Sequence, residues 1–195
     1  ISIKMKYIFR QVLFGASFCL SLWDMIRFFY TFFYSIMDTI FSTNPSRSYE
    51  SLGEQKVTQE WEIAQIIVSA KKAWELWSQT PLSQRITIMR WVYELFLGKK
   101  EILVASVAWE MGMPIRLARD EVQYGLNYFL WYLDHAEEYL CPEITFENDS
   151  EIHTVFYEPK WVIAAITPWN YPFMLFVWAC IQPLLAGNTV VWKIS

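Results

Sequence analysis

Residues 161–193 read WVIAAITPWNYPFMLFVWACIQPLLAGNTVVWK, and they carry the strongest indication of the fold. Trp161–Ile166 is apolar throughout, as expected for a strand buried on both faces of a parallel sheet. Pro168-Trp169-Asn170 ends that strand, Phe173–Leu185 predicts a crossover helix, and Thr189–Trp192 predicts a second strand. Together these segments predict one βαβ unit, whose strand-to-helix turn is where open α/β sheets bind ligands.

Four helices are predicted before this unit. Their expected ranges are Glu60–Ser78, Pro81–Gly98, Lys99–Met111 and Ile115–Leu140. In the first helix, the expected core face carries Ala64, Ile67, Val68, Trp74 and Trp77. Thr80-Pro81 predicts an N-cap followed by proline at the first helical position, and Gly98 predicts a left-handed residue after the second helix. Short polar breaks between the helices predict a packed helical layer.

A β-hairpin is expected between the helical layer and the βαβ unit. Ile144, Phe146, Ile152 and Phe156 alternate with polar residues on either side of the turn cluster Asn148-Asp149-Ser150. This alternation predicts one apolar face and one wet face. The expected fold class is therefore α/β: an N-terminal helical layer and a β-hairpin arm lead into the first βαβ unit of a Rossmann-like parallel sheet, which the chain truncates.

The first 41 residues form a hydrophobic leader that differs from the rest of the chain. This leader carries a net charge of +2 within a chain of −4, and the polar stretch Ser42–Gln59 after it is interpreted as a linker. We therefore expect two regions, residues 1–41 and 42–195. Residues 12–37 are long enough to span a bilayer, although Asp24 and Arg27 count against insertion. A membrane anchor, an export signal and a leader without a targeting role all remain open.

Composition excludes several classes of protein. The chain has 195 residues, 54% of them hydrophobic and 18% charged, which excludes a disordered or collagen-like protein. Its acidic balance argues against nucleic acid as a partner. The cysteines Cys19, Cys141 and Cys180 are too scattered for a disulfide framework, and His135 and His153 lack metal-ligand spacing. We expect no metal site, reduced thiols and a cytoplasmic location, with membrane association through the leader as the alternative.

The turn and the second strand resemble the aldehyde dehydrogenase superfamily. The matching residues are Glu158-Pro159, Val162–Ile166, the P-W-N-Y-P run at 168–172 and the P-L-L-A-G-N-T-V-V-W-K run at 183–193. A weaker likeness extends back through Asn44-Pro45, Ala73-Trp74, Trp77, Arg85 and Glu110-Met111-Gly112. The resemblance therefore covers about Ser42–Ser195. The chain contains no G-x-G-x-x-G, so the ordinary dinucleotide fingerprint does not contribute to it.

This resemblance implies a role for each matching site residue. It makes Asn170 the catalytic side-chain amide that donates to the developing oxyanion of a thiohemiacetal, and Lys193 a ligand of the adenosine ribose of NAD or NADP. It places Ile166, Thr167, Pro168 and Trp169 along the nicotinamide. It also makes the hairpin Glu143–Tyr157 an arm for a homo-oligomer. Taken without the motif, an asparagine at 170 is more typical of a turn residue that bonds its own backbone, and a single lysine at 193 of a solvated strand end.

The implied function is that of an NAD(P)-dependent oxidoreductase that oxidises a small aldehyde to a carboxylic acid. Trp161 departs from the family, which usually has glycine there, and Ile194 replaces the usual proline. Neither Cys141 nor Cys180 matches the nucleophile, so we expect the catalytic cysteine and the glutamate base beyond residue 195. The chain is therefore interpreted as an N-terminal portion of such an enzyme. The alternative is a catalytically dead relative that acts as a membrane-tethered or interaction protein.

Overall fold

A computed structural model describes residues 39–194. The possible bilayer span 12–37, and all of the predicted leader 1–41 except residues 39–41, lie outside the described residues. The elements in chain order are β1 (Thr39–Asn44), β2 (Glu50–Lys56), α1 (Glu60–Trp77), α2 (Leu82–Gly98), α3 (Lys100–Met111), α4 (Ile115–Leu140), β3 (Glu143–Glu147), β4 (Ile152–Val155), β5 (Val162–Ile166), α5 (Pro172–Phe176), a π-helical turn (Val177–Ile181), α6 (Gln182–Leu185) and β6 (Thr189–Lys193). No helix within residues 39–194 has the length and apolar character needed to cross a bilayer.

The βαβ unit forms as predicted. β5 and β6 pair in parallel, with Val162 opposite Thr189 and Ile166 opposite Lys193. α5, the π-helical turn and α6 follow one another without a break, and we call them together the crossover helix. β6 is buried, but β5 is only half-buried, and Ile166 is 77% exposed. The expectation of a strand buried on both faces is wrong for β5, because the described elements cover its faces only in part. Among the described residues β5 also pairs with β6 alone.

Two side chains from distant helices bind the carboxyl end of the crossover helix. Trp77 Nε1 donates to the carbonyl of Leu184 at 2.8 Å, and Arg85 Nε donates to the carbonyl of Leu185 at 2.9 Å. The last carbonyls of a helix lack intrahelical partners, and a cation near them also favours the helix dipole. Gly187 then turns the chain into β6 at a φ of 86°. These contacts hold the helical layer against the parallel strands.

The core is aromatic and lies between the helical layer and the crossover helix. Phe96 of α2 contacts Phe173 and Phe176 at ring-centroid distances of 5.4 and 5.8 Å. Phe129 of α4 lies 6.4 Å from the same Phe96 ring. All four rings are buried, so this cluster joins α2, α4 and α5 into one apolar core.

The bounds of the four helices agree closely with the predicted ranges, but details of the first two differ. The α1 face toward the core carries Ala70, Ala73 and Trp77. The prediction is therefore right for Trp77 but wrong for Ile67 and Val68, which are 41% and 52% exposed. Amphipathic spacing identified this face only in part because α1 bears apolar residues around most of its circumference.

The predicted helix ends of α2 are also wrong. Pro81 is the N-cap of α2, and the Thr80 hydroxyl donates to the carbonyl of Leu76 in the preceding helix. Gly98 is the last helical residue of α2, and the residues with positive φ do not include it. The tight connection to α3 needs no left-handed residue because Lys99 already reverses the chain in the bridge region, at φ −111° and ψ 17°.

The stretch Ser42–Gln59 is not a linker. It lies mostly in the antiparallel pair of β1 and β2, which is joined by a short turn in which Asn44 Oδ1 accepts from the backbone of Ser46 at 3.0 Å. This turn lies against the end of α3, where a Cβ added at Gly112 would come within 2.7 Å of Pro45 Cγ. Gly112 has a φ of 61°, so both its conformation and its lack of a side chain suit this contact.

The hairpin of β3 and β4 forms as predicted, but it has no dry face. Its strands pair antiparallel with a register shift between Ile144 and Phe146. Ile144, Phe146 and Ile152 are 58%, 45% and 58% exposed, because no described element covers either face. The hairpin therefore exposes apolar side chains to solvent.

Candidate functional site

An open crevice of about 190 Å³ lies at the carboxyl ends of β5 and β6. The bend after β5 contributes Thr167, Pro168 and Trp169 to its wall. The remaining lining residues come from β1, α3, α5 and the end of β6: Ser42, Thr43, Glu110, Met111, Pro172, Trp192 and Ile194. This volume is below the roughly 300–1,000 Å³ of pockets that enclose drug-sized ligands, so the crevice suits one ring system rather than a whole dinucleotide.

The bend is fixed to β6 by two hydrogen bonds of Thr167, which is the donor in one and the acceptor in the other. Thr167 donates its backbone N–H to the carbonyl of Lys193 at 3.2 Å, and its hydroxyl accepts from Trp192 Nε1 at 2.9 Å. Thr167 is 7% exposed and Trp192 2% exposed, so both partners are withdrawn from water. A buried, fully paired threonine at this point fixes where the strand ends and the bend begins.

Asn170 lies in the bend between two lining residues, Trp169 and Pro172, without lining the crevice itself. Its side chain is exposed and makes no hydrogen bond to another described residue. The alternative was that this amide bonds the backbone of its own turn. Within residues 39–194 the structure shows no such hydrogen bond. The Asn170 amide is therefore an exposed neutral donor in the bend that carries the lining residues Thr167, Pro168 and Trp169.

The other predicted site residues separate into two groups. Thr167, Pro168 and Trp169, which were predicted to lie along the nicotinamide, line the crevice together. Ile166 does not line it, because its side chain is largely exposed on β5. Lys193 is half-buried at the end of β6, directly opposite Ile166, and burial lowers the pKa of its ammonium group.

Sequence reasoning missed a buried carboxylate that lies behind the bend. Glu121 of α4 is 2% exposed, and its Oε1 accepts from the backbone amides of Phe173 at 3.0 Å and Met174 at 2.8 Å. Burial raises the pKa of Glu121 to about 7, although the two amide hydrogen bonds oppose the shift. The only signal in the sequence was an acidic residue next to Val122 on the core side of α4.

Neither described cysteine belongs to the crevice. Cys141 is exposed just before the hairpin, and Cys180 is fully buried in the crossover helix, where desolvation raises the pKa of its thiol well above the ordinary value. A buried thiol with a raised pKa is an inert apolar group rather than a nucleophile. Within residues 39–194, no group of three His, Cys, Asp or Glu side chains is placed to hold a metal ion.

The comparison with known proteins identifies the family. The model of the aldehyde dehydrogenase family matches residues 34–195. The chain belongs to the aldehyde dehydrogenase family. The chain is 33% identical over 134 residues to the NADP(+) succinate-semialdehyde dehydrogenase of Deinococcus radiodurans, and the match covers 69% of the chain and 28% of the relative. It is 27% identical to a 1-pyrroline-5-carboxylate dehydrogenase of Staphylococcus epidermidis, covering 80% of the chain and 30% of the relative.

Solved aldehyde dehydrogenases share the fold. An aldehyde dehydrogenase of Bartonella henselae superposes with a TM-score of 0.76 at 25% identity, covering 83% of the chain and 34% of that structure. A glyceraldehyde-3-phosphate dehydrogenase of Methanocaldococcus jannaschii, complexed with NADP, superposes with a TM-score of 0.72 at 27% identity. This match covers 81% of the chain and 34% of that structure. The aldehyde dehydrogenase chain thus spans about a third of these structures. The predicted family and α/β fold are confirmed.

Trp161 remains a departure from the family pattern, and the structure accommodates it in an unusual way. Its φ of 153° lies in a region that L-residues rarely adopt. Its backbone N–H donates to Asn188 Oδ1 at 3.0 Å, and the Lys71 ammonium lies 4.3 Å from its ring centroid. Trp161 thus has a backbone conformation typical of glycine. Its exposed indole lies at the start of β5, at the opposite end of the strand from the crevice.

Proposed function

We propose that this chain is the part of an NAD(P)-dependent aldehyde dehydrogenase that supplies the oxyanion donor and one wall of the nicotinamide crevice. The reaction is the oxidation of an aldehyde to a carboxylic acid through a cysteine thiohemiacetal. The single observation that carries the proposal is the Asn170 amide, exposed and without a described hydrogen-bond partner, in a bend whose neighbouring residues line the crevice.

The residues of the crevice fit a nicotinamide cofactor. Pro168, Trp169 and Pro172 offer flat apolar surface, and Thr167 is held rigidly by β6. In this proposal they hold the nicotinamide end, and the Lys193 ammonium binds the adenosine ribose through its N–H donors. When bound, the cofactor accepts a hydride from the substrate carbon. The choice between NAD and NADP is left to experiment, although relatives are described with NADP.

The catalytic contribution of Asn170 follows from its chemistry. A neutral amide N–H that is already in place stabilises negative charge only when that charge develops on the substrate oxygen, so it lowers the barrier without tightening ground-state binding. Neither Cys141 nor Cys180 lines the crevice, so the proposal assigns the thiolate and the general base to other parts of the enzyme.

The exposed hairpin supports a proposal about assembly. Its two strands present unpaired edges and exposed apolar side chains, which soluble proteins usually cover. We propose that the arm Glu143–Tyr157 pairs with a second subunit in a homo-oligomer.

The proposed activity is tested with the full-length protein and a panel of aldehydes that includes succinate semialdehyde. The expected result is formation of the acid together with an equal amount of NADH or NADPH. Lys193→Ala should raise the cofactor KM with little change in kcat, whereas Asn170→Ala should lower kcat. Asn127→Ala, an exposed asparagine on α4, serves as the control. Wild-type protein that yields no acid from any aldehyde with either cofactor would contradict the proposal.

A further inference from the structure

We propose that Glu121 is a positioning residue for Asn170. Its carboxylate holds the first turn of the crossover helix, and through that turn it fixes the bend that carries the Asn170 amide. The inference rests on the proposed function, because positioning is meaningful only if Asn170 acts on the reacting oxygen.

The first turn of the crossover helix depends on Glu121 for a cap. The first N–H groups of any helix lack intrahelical acceptors. Tyr171 at the N-cap makes no side-chain cap hydrogen bond, and Pro172 has no N–H to satisfy. The next two amides, those of Phe173 and Met174, both donate to Glu121 Oε1. A side chain from a helix 52 residues away therefore does what an N-cap residue normally does.

Glu121 and Gly125, one turn apart on α4, form a single seat for this first turn. A Cβ added at Gly125 would lie 2.5 Å from Phe173 Cδ1, so only glycine admits the ring at its present distance. Phe173 is fully buried and also contacts Phe96. The start of α5 is thus fixed against α4 by two hydrogen bonds and one close ring contact.

A distant cap does something that a local cap cannot do. A serine or aspartate at position 171 could satisfy the same amides without a hydrogen bond between the first turn and α4. Glu121 instead joins the bend to α4, and its second oxygen is buried without a hydrogen-bond partner among the described residues. A buried carboxylate with an unpaired oxygen is costly, so stability alone is a poor reason for this arrangement. Asn170 lies three residues before Phe173, the first residue whose amide Glu121 holds. The position of Asn170 is therefore the one that this contact is best placed to fix.

A double-mutant cycle in the full-length enzyme tests the proposal. Asn170→Ala is expected to lower kcat by about 10²–10³-fold. Glu121→Met, which fills the space without an acceptor oxygen, is expected to lower kcat by up to about 10²-fold, as misplacement of a reacting group does. In the Asn170→Ala background the same Glu121→Met change should have little further effect, because the amide it positions is gone. Glu121→Gln retains an acceptor oxygen and should restore most of kcat.

The outcomes separate this inference from the proposed function. If Asn170→Ala leaves kcat unchanged, the proposed role of Asn170 is wrong and the inference is overturned with it. If Asn170→Ala lowers kcat but Glu121→Met is harmless, or is equally damaging in both backgrounds, the inference alone is overturned. Glu138→Met, an exposed glutamate on the same helix, is the matched control. Should Glu121→Met fail to fold, Glu121→Asp, which withdraws the oxygen by one methylene, is used in the same cycle.

Discussion

Glycine at position 125 is needed for a close contact, whereas glycine at 98 is not. A Cβ at Gly125 would meet Phe173 Cδ1 at 2.5 Å and Cε1 at 2.7 Å, but a Cβ at Gly98 would meet nothing within 4 Å. Both glycines are helical, so alanine would normally stabilise either helix by up to about 1 kcal/mol. At residue 125 that gain is opposed by overpacking, which costs about 1–3 kcal/mol or more in a well-packed core.

We therefore expect Gly125→Ala to lower the free energy of unfolding by about 1–2 kcal/mol and Gly98→Ala to leave it unchanged or raise it. Urea unfolding of the two variants beside the wild-type protein checks the difference. An alanine at 125 that proves as stable as wild type would mean that α4 and the crossover helix separate easily, against the seat described for Phe173.

The raised pKa of Glu121 predicts a pH dependence of stability. Burial raises this pKa from 4.5 to about 7, so the folded state binds the proton more tightly than the unfolded state does. Stability from this group is therefore greatest below about pH 4.5, falls as the pH rises, and is constant above about pH 7. The loss across that window is about 3 kcal/mol.

Glu121→Gln cannot titrate and should not show this loss. The quantity to measure is the difference in free energy of unfolding between wild type and Glu121→Gln, followed from about pH 5 to about pH 8. We expect the difference to move in favour of the glutamine variant as the pH rises. A difference that stays constant across the range would show that Glu121 titrates at its ordinary pKa and is more hydrated than its position indicates.

Among the elements, the crossover helix has its position determined by long-range side-chain contacts at both ends. Glu121 binds its first amides, and Arg85 and Trp77 bind its last carbonyls. Arg85 is 9% exposed, and its Nη1 also donates to the carbonyl of Thr80 at 2.7 Å. Removing the guanidinium would leave buried carbonyls without a donor.

Arg85→Met is accordingly expected to lower the free energy of unfolding by about 2–3 kcal/mol, since hydrogen bonds to charged groups are worth more than neutral ones. Arg90→Met is the matched control on the same helix: its ion pair with Asp134 is about half exposed, so its loss should cost at most about 1 kcal/mol. Equal effects of the two substitutions in thermal or urea unfolding would contradict the capping role of Arg85.

Sequence patterns predicted the helices and strands of this fold better than they predicted which faces of those elements are buried. The βαβ unit and α4 were predictable because apolar runs and breaks such as Pro142 and Gly187 are local signals. The strands of 39–56 were missed because their polar composition hides the pairing, which depends on the turn at Asn44. Burial of β5 and the exposed face of α1 were mispredicted because they depend on what covers each element.

The candidate site was predictable only where a motif covers it. The P-W-N-Y-P run located Asn170 and the crevice wall from Thr167 to Trp169. Glu121 could not be found that way, because its partners are backbone amides. Almost every residue type has a backbone amide, so the sequence gives no sign of which ones Glu121 binds. Glu110 and Met111 belong to the weaker likeness to the family, but that likeness did not place them in the crevice, which they line from α3.

At the scale of the whole molecule, the exposed hairpin Glu143–Tyr157 is the surface that we propose to be covered by a second subunit. Phe146→Lys places a charge on an arm strand, 45% exposed in the monomer, and should reduce assembly by opposing burial in a subunit interface. Light scattering of the full-length protein should show a lower molar mass, with the midpoint of unfolding measured alongside. Trp61→Lys, 63% exposed on α1, is the control. An unchanged molar mass for Phe146→Lys would contradict the proposed arm.

The position of Asn170 next to the crevice gives the most direct test of the molecule's chemistry. The measurement is the single-turnover rate of NADH or NADPH formation by the full-length protein at saturating aldehyde and cofactor, in wild type and Asn170→Ala. We expect the alanine variant to be slower by about 10²–10³-fold, with unchanged cofactor affinity and unfolding midpoint, since only charge developing in the transition state loses its donor. A variant that turns over at the wild-type rate would contradict the assignment of Asn170 as the oxyanion donor.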